Sequence, residues 1–382
     1  MKIAFVGQKG IPGISGGVEK HVADVSTRLV KLGHEVIVYT RPNYTSKNLK
    51  EYQGVKLISL PTIATKHLDA ISHTFLACLD LIFRKKVDVI HFHSIGPSSL
   101  IWLVKLFKPR TPVIFTFHSK CYLHQKWGKM ARWYLQFSEY LACRFADQTI
   151  AVSYSLAQHL KEKYDIEAAV IPNGAVILPA AEPNLINTWD LARGNYILSV
   201  SRLVRVKGLH FLISAYKELS ADKKLVIVGA GSEHDAYEEE LKALAIDNPN
   251  IIFTGQQTGK ILEELFANCY FFVQPSESEG MSISLLEAMS YGKGVLASNI
   301  AENLEAASDS GFYFESRNVK DFKNKMAELM DNPELLRIKG DLAKKRIIEY
   351  YNWDNITEQI VGLYKDYLLK NSDKELVIAK SN

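Results

Sequence analysis

Residues 269–298 read CYFFVQPSESEGMSISLLEAMSYGKGVLAS. The run Cys269-Tyr270-Phe271-Phe272-Val273 is apolar and aromatic and stops at Gln274-Pro275, the mark of a short buried strand. Beyond a polar loop, Leu285, Leu286 and Met289 follow helical spacing behind Ser282 or Ser284. Either serine can cap a helix that Gly292 stops, and Gly294–Ser298 then reads as the next strand. Strand, helix and strand in one stretch predict a parallel pair with a crossover helix. Glu279 stands in the loop ahead of the helix and Glu287 about a turn inside it. A helix N-terminus offers free backbone N–H groups and the positive end of a dipole, an anion site. Two carboxylates flanking such a site suit a ligand that carries both phosphate and hydroxyls.

The same alternation extends in both directions. Upstream and downstream of the stretch, Asn195–Arg202, Lys223–Gly229, Asn250–Gly255 and Gly311–Glu315 read as strands, with helical patterns at Gly208–Leu219 and Ala236–Ala245. The first half repeats the scheme at Lys2–Gly7, Glu35–Thr40, Lys56–Leu60, Val87–His93, Pro112–His118 and Gln148–Ser153. Between its first two strands, Val18, Val22, Val25, Leu29 and Leu32 form the apolar stripe of a helix that ends at Gly33. Around Ile171-Pro172-Asn173-Gly174 the pattern breaks, and Pro179, Pro183 and Asn184 mark a linker. The expectation is an α/β protein of two Rossmann-like domains, 1–178 and 190–354, with parallel sheets facing across a ligand cleft. Residues 321–370 are helix-rich, and the polar tail after Asn371 is expected to fray.

Composition narrows the class. A length of 382 residues favours two cores, and 47% hydrophobic with 23% charged residues is ordinary for a globular protein. No stretch is long and apolar enough to span a bilayer, and the N-terminus does not read as a signal peptide. Cys78, Cys121, Cys143 and Cys269 have no C-x-x-C spacing, which points to reduced thiols in a cytoplasmic protein. The net charge of +4 conceals an asymmetry: residues 1–180 carry 23 basic against 12 acidic side chains, and the remainder carries 23 against 30. A basic first half suits an anionic membrane surface or a phosphorylated acceptor. Within it, Lys126, Lys129, Arg132 and Arg144 interleave with Trp127, Trp133, Tyr134 and Phe137, as a basic helix lying on a bilayer or an ordinary domain helix would.

Four further places carry candidate chemistry. Gly16 and Gly17 precede the first helix, where backbone can approach a phosphate unobstructed, in a loop matching neither a dinucleotide fingerprint nor a P-loop. Arg202 ends a strand and Lys207 precedes a helix, so two cations reach the ligand-bearing edge and can hold a diphosphate. Gly229-Ala230-Gly231 lacks the third fingerprint glycine, His234 standing in its place, and reads as a tight turn. His91 and His93 read as structural, without a partnering metal-ligand cluster, whereas His118 at a strand end suits a substrate hydroxyl.

Taken together these motifs resemble the family 4 glycosyltransferases. The resemblance rests on Glu279-x7-Glu287, Gly16-Gly17-x-Glu19, Thr116-Phe117-His118, Ala151-Val152-Ser153, Ile171-Pro172-Asn173-Gly174, Arg202-x4-Lys207-Gly208 and the Trp353 region, and covers almost the whole chain. The segment from Thr65-Lys66-His67-Leu68 to His91-Phe92-His93-Ser94 is similar to a subgroup linked to bacterial surface-polysaccharide assembly. The family pattern often has Phe-Gly-Leu-Pro where this chain has Met281-Ser282-Ile283-Ser284.

The resemblance implies a GT-B fold, with residues 355–382 crossing back onto the first domain. It implies transfer, with retention, of a sugar from a nucleotide-diphosphate donor to a polysaccharide or lipid-linked acceptor. It further implies no metal, no cofactor and no nucleic-acid partner. Catalytic roles fall to Glu279, His118, Arg202 and Lys207. Donor contacts fall to Gly16, Gly17, Arg202, Lys207, Glu279, Gly280, Met281, Ser282, Ile283 and Glu287. The place of action implied is the cytoplasm, peripheral to the inner membrane face. Alternatives are another GT-B enzyme, a glucan synthase or nucleotide-sugar epimerase, and a non-catalytic polysaccharide-assembly scaffold.

Overall fold

A computed structural model describes residues 1–13, 16–65, 68–123, 127–179, 181–231 and 236–381, with side chains described as far as residue 370. Lys66, His67, Lys126 and His234, all named above, lie outside the described residues. The chain divides into two compact units. One comprises Met1–Tyr122, Trp127–Asn173 and Trp353–Asn382, and the other is built on Gly174–Asn352.

The first unit holds strands β1 (Lys2–Val6), β2 (Glu35–Thr40), β3 (Glu51–Tyr52), β4 (Val55–Ser59), β5 (Val89–His93), β6 (Val113–Phe117), β7 (Gln148–Ala151) and β8 (Ala169–Val170). They form one sheet in the order β3-β4-β2-β1-β5-β6-β7-β8, parallel except for the β3–β4 pair. The order reverses between β1 and β5, the kind of switch point where open α/β sheets bind ligands. β3 and β8 are two residues long, too short to leave a pattern in the sequence. β5 and β6 are buried along their whole length, as sheets covered on both faces require.

The first helix, Gly17–Lys31, buries Val22, Val25 and Leu29 completely. Leu32, expected in that stripe, is its C-cap and is exposed. The helix Trp353–Ser381 belongs to this unit: Tyr364 meets His91, and the Tyr367 hydroxyl donates to Gln148 Oε1 at 2.6 Å. It runs past Asn371, where a frayed tail was expected, because neither Gly nor Pro interrupts residues 363–381.

The second unit carries β9 (Tyr196–Val200), β10 (Lys224–Val228), β11 (Ile251–Gly255), β12 (Phe272–Gln274), β13 (Val295–Ser298) and β14 (Phe312–Phe314). Its order is β11-β10-β9-β12-β13-β14, parallel throughout. Ile197, Leu225, Ile227, Phe271, Val273 and Leu296 form its core with Leu212, Tyr216, Leu241 and Phe322 from the covering helices. The strand-to-turn junctions are tight. Gly229 sits at φ +144°, and a Cβ there would come within 1.8 Å of the Ser201 carbonyl oxygen, so Gly229-Ala230-Gly231 is a close backbone crossing.

Candidate active site

In the second unit the site grows from the end of β12. Apolar side chains hold Phe272 and Val273 in the core, and the strand then delivers a buried amide, Gln274. Gln274 Nε2 donates to Glu279 Oε1 and to Ser276 Oγ, both at 2.7 Å. Ser276 Oγ donates to the same Glu279 oxygen at 2.6 Å, and Lys207 Nζ adds a third hydrogen bond at 2.5 Å. Oε1 of Glu279 is thus saturated, while among the described residues Oε2 accepts no hydrogen bond. Glu279 is 8% exposed. A carboxylate so deeply placed requires its cation and donors, since a buried charge without them costs several kcal/mol.

Lys207 reaches Glu279 because its turn is pressed against the loop. Gly208 sits at φ +68°, with room for a Cβ denied by the Pro275 carbonyl oxygen at 2.1 Å, and Glu277 N–H donates to the Val206 carbonyl at 2.8 Å. From β13, Ser298 Oγ donates to the Ser276 carbonyl at 2.5 Å, and Asn303 Nδ2 donates to Ser298 Oγ at 3.0 Å. Ser282 is the N-cap of the helix Ile283–Ser290: its Oγ accepts from the Leu285 N–H at 3.3 Å and donates to Gln274 Oε1 at 3.3 Å. Where the family pattern has glycine, this chain therefore supplies a capping hydroxyl. Gly280, Met281 and Ile283 are buried around that N-terminus, and Glu287 is half-buried one turn further on. Arg202 follows β9, exposed, with no hydrogen bond or ion pair to its side chain among the described residues. Arg205 is by contrast committed, paired with Glu240 and stacked 4.9 Å over the Tyr237 ring.

In the first unit, Gly16 is the N-cap of the first helix at φ +105°. A Cβ there would approach Glu19 Oε2 to 2.2 Å, while Glu19 Oε1 accepts from the Lys9 N–H at 3.1 Å. Gly16 thus packs against a carboxylate, and Gly17 opens the helix beyond it. His118 follows β6, with Nε2 3.0 Å from His93 Nδ1 at the end of β5. His21, on the first helix, lies edge-on to His118 with ring centroids 4.8 Å apart, and its Nδ1 meets Asn173 Oδ1 at 2.9 Å. His91 bridges Tyr364 and Thr116 through its two ring nitrogens, at 2.6 and 2.7 Å. Burial lowers the pKa of each of these imidazoles, with neighbouring imidazoles adding to the effect on His91, His93 and His118. His21 is brought down to about 4, Asn173 partly opposing the shift. At neutral pH the rings are hydrogen-bonding groups without charge.

Sequence reasoning named Glu279, Lys207 and Ser282 and missed the groups that hold them. Gln274 was legible, a polar residue closing an apolar strand, whereas Asn303 and Ser298 gave no signal. His21 was also missed, a histidine within an apolar helical stripe. His93, read as structural, stands beside His21 and His118 because the ends of β5 and β6 are neighbours in the sheet.

Residues 15–176 match the model of the family described as Glycosyltransferase Family 4, and residues 189–346 match that of Glycosyl transferases group 1. The chain is a glycosyltransferase, with a family 4 domain followed by a group 1 domain. This glycosyltransferase is 25% identical to an uncharacterized glycosyltransferase of Methanocaldococcus jannaschii, across 92% of this chain and 95% of that relative. It is 25% identical to the alpha-monoglucosyldiacylglycerol synthase of Streptococcus pneumoniae, across 78% and 71%. Sucrose-phosphate synthase from Thermosynechococcus elongatus has the same fold, with a TM-score of 0.82 at 19% identity over 97% of this chain and 99% of that one. The two Rossmann-like units are those of a GT-B glycosyltransferase.

Proposed function

We propose that this glycosyltransferase moves a sugar from a nucleotide-diphosphate donor, with retention and without a metal, to a polysaccharide or lipid-linked acceptor. The observation that carries the reading is the Glu279 carboxylate, fixed through Oε1 by Lys207, Gln274 and Ser276 and with Oε2 left for a ligand hydroxyl. In the reaction the bond from the anomeric carbon to the diphosphate oxygen breaks and one to an acceptor oxygen forms. The acceptor proton leaves with the diphosphate. Negative charge therefore develops on the leaving group as the sugar becomes oxocarbenium-like. Lys207, Arg202 and the N–H groups of Gly280, Met281, Ser282 and Ile283 supply the opposing charge and dipoles. Glu279 orients the transferred sugar, and Glu287 takes the ribose hydroxyls. Gly16 and Gly17 meet the phosphates from the first unit, and His118, neutral, lies beside the reacting sugar.

Lys207→Ala is expected to remove about 10²–10³-fold of the turnover of a nucleotide sugar. Full activity in that variant would overturn the leaving-group assignment. Anomeric configuration of the product by NMR tests retention, and activity undiminished by a chelator tests metal independence. Product analysis also separates a synthase, which extends its own product, from an epimerase, which needs no acceptor. A scaffold without catalysis would turn over no donor at all.

We infer that the acceptor side works at an anionic membrane surface. Support comes from the basic first half and from the helix Lys129–Phe145, which exposes Met130, Trp133 and Phe137 beside Lys129 and Arg132. One relative is named for synthesis of a glycolipid. Among the described residues no helix is long and apolar enough to cross a membrane, and the contact proposed is a peripheral one through this face. Sedimentation with anionic vesicles that salt reverses is the expected result, and equal binding to neutral vesicles would refute the electrostatic part.

A further inference from the structure

We propose that the first unit contains a binding site for one borderline transition-metal ion such as Zn²⁺, with His21, His93 and His118 as ligands. Each offers a ring nitrogen, and the three nitrogens lie within 4.8 Å of one another. Ring centroids are 4.8 Å apart for His21–His118, 5.5 Å for His21–His93 and 5.3 Å for His93–His118. Three imidazoles around a tetrahedral Zn²⁺, with Zn–N about 2.0–2.1 Å, place their centroids about 5 Å apart. The rings are therefore spaced for an ion, and closure needs rotation of the imidazoles with little backbone movement.

Two further observations point the same way. His21 is 1% exposed and its Nε2 has no hydrogen-bond partner among the described residues, an unfavourable state for a buried polar atom. Its other nitrogen meets Asn173 Oδ1, an acceptor, so Nδ1–H donates to it and Nε2 is the nitrogen that keeps a lone pair. That is the outer partner that metal-bound histidines generally have. Trp353 packs edge-on against the same ring at 5.5 Å and limits its rotation. The donor set decides the metal. Three imidazoles without a carboxylate suit Zn²⁺, Co²⁺ or Ni²⁺ and do not suit Mg²⁺ or Ca²⁺. With three protein ligands, His118 being the least buried, a fourth position is left for water.

The ion engages His118, which the reading above sets beside the reacting sugar, yet it is no participant in that metal-free chemistry, and its test reads binding directly. The full chain is freed of metal by a chelator and titrated with Co²⁺, following the visible absorption that distinguishes tetrahedral from octahedral cobalt. Saturation at one ion per chain with a tetrahedral spectrum, and displacement by Zn²⁺, is expected. His21→Gln and His118→Gln should each weaken binding by more than 10-fold, with metal-free circular dichroism showing that they fold. His34→Gln removes a competing position at the chain's own amino group, where His34 Nδ1 lies 3.3 Å from the Met1 nitrogen, and should leave the spectrum unchanged. Loss of cobalt binding in His34→Gln, retention in His118→Gln, or an octahedral spectrum in the parent chain would each overturn the proposal. If His21→Gln does not fold, Asn173→Ala replaces it, with a 10–100-fold weakening expected.

Discussion

The two units end in the same kind of edge, a row of parallel strands with loops beyond, yet they furnish it differently. In the second unit the edge carries charge: Lys207 on Glu279, Arg202 exposed, and a capped helix N-terminus. In the first, the corresponding strand ends carry buried imidazoles held neutral by desolvation, with Gly16 packed against Glu19. One scaffold thus supports two electrostatic regimes. Where a leaving group gains negative charge, fixed cations and dipoles are needed. Where a hydroxyl must be held without altering its charge, neutral hydrogen-bonding rings suffice.

That contrast can be broken from either side. The largest effect is expected at the charged edge. Lys207→Ala strands a buried carboxylate, at a cost of up to about 3–5 kcal/mol seen in denaturant unfolding, beside the loss of turnover. Adding Glu279→Gln should recover stability and leave turnover low; recovery of both would mean that the pair is structural only.

On the neutral edge the lever is pH. His21 has its pKa lowered from 6.5 to about 4 on folding, so the unfolded chain binds the proton first as pH falls. Its stabilising contribution is intact above about pH 6.5 and is lost toward pH 4, a change of about 3 kcal/mol. Melting temperatures across that window should fall with acidification, and His21→Phe should flatten the slope. An unchanged slope would remove His21 from the account.

A smaller effect is expected for His91→Phe, which leaves the Tyr364 and Thr116 hydroxyls without their shared ring and should cost about 1–3 kcal/mol in unfolding experiments. Smallest is Ser282→Ala, about 1 kcal/mol by loss of the cap, with a rise in the donor's KM if the helix N-terminus shifts.

Most strands were legible because buried parallel strands are apolar runs that turn residues punctuate, as at Ile3–Val6 or Leu225–Val228. The two-residue strands were not, and neither was the exposure of Leu32, which obeys the helical period but lies past the last turn. In the site, residues whose type announces chemistry stood out: paired glutamates, paired cations, tandem glycines. Most supporting residues did not, because Ser276, Ser298 and Asn303 become meaningful only once β12 and β13 bring them together. His21 shows the same limit, since its partners lie 72 and 97 residues away along the chain.

The helix Trp353–Ser381 has a consequence for how the protein is made. It supplies Trp353 beside His21 and Tyr364 against His91, inside a unit whose other elements are translated before residue 174. During vectorial synthesis the second unit, nearly contiguous in sequence, emerges whole and can close first. The first unit can close only after that helix has left the exit tunnel. The half begun earliest is finished last.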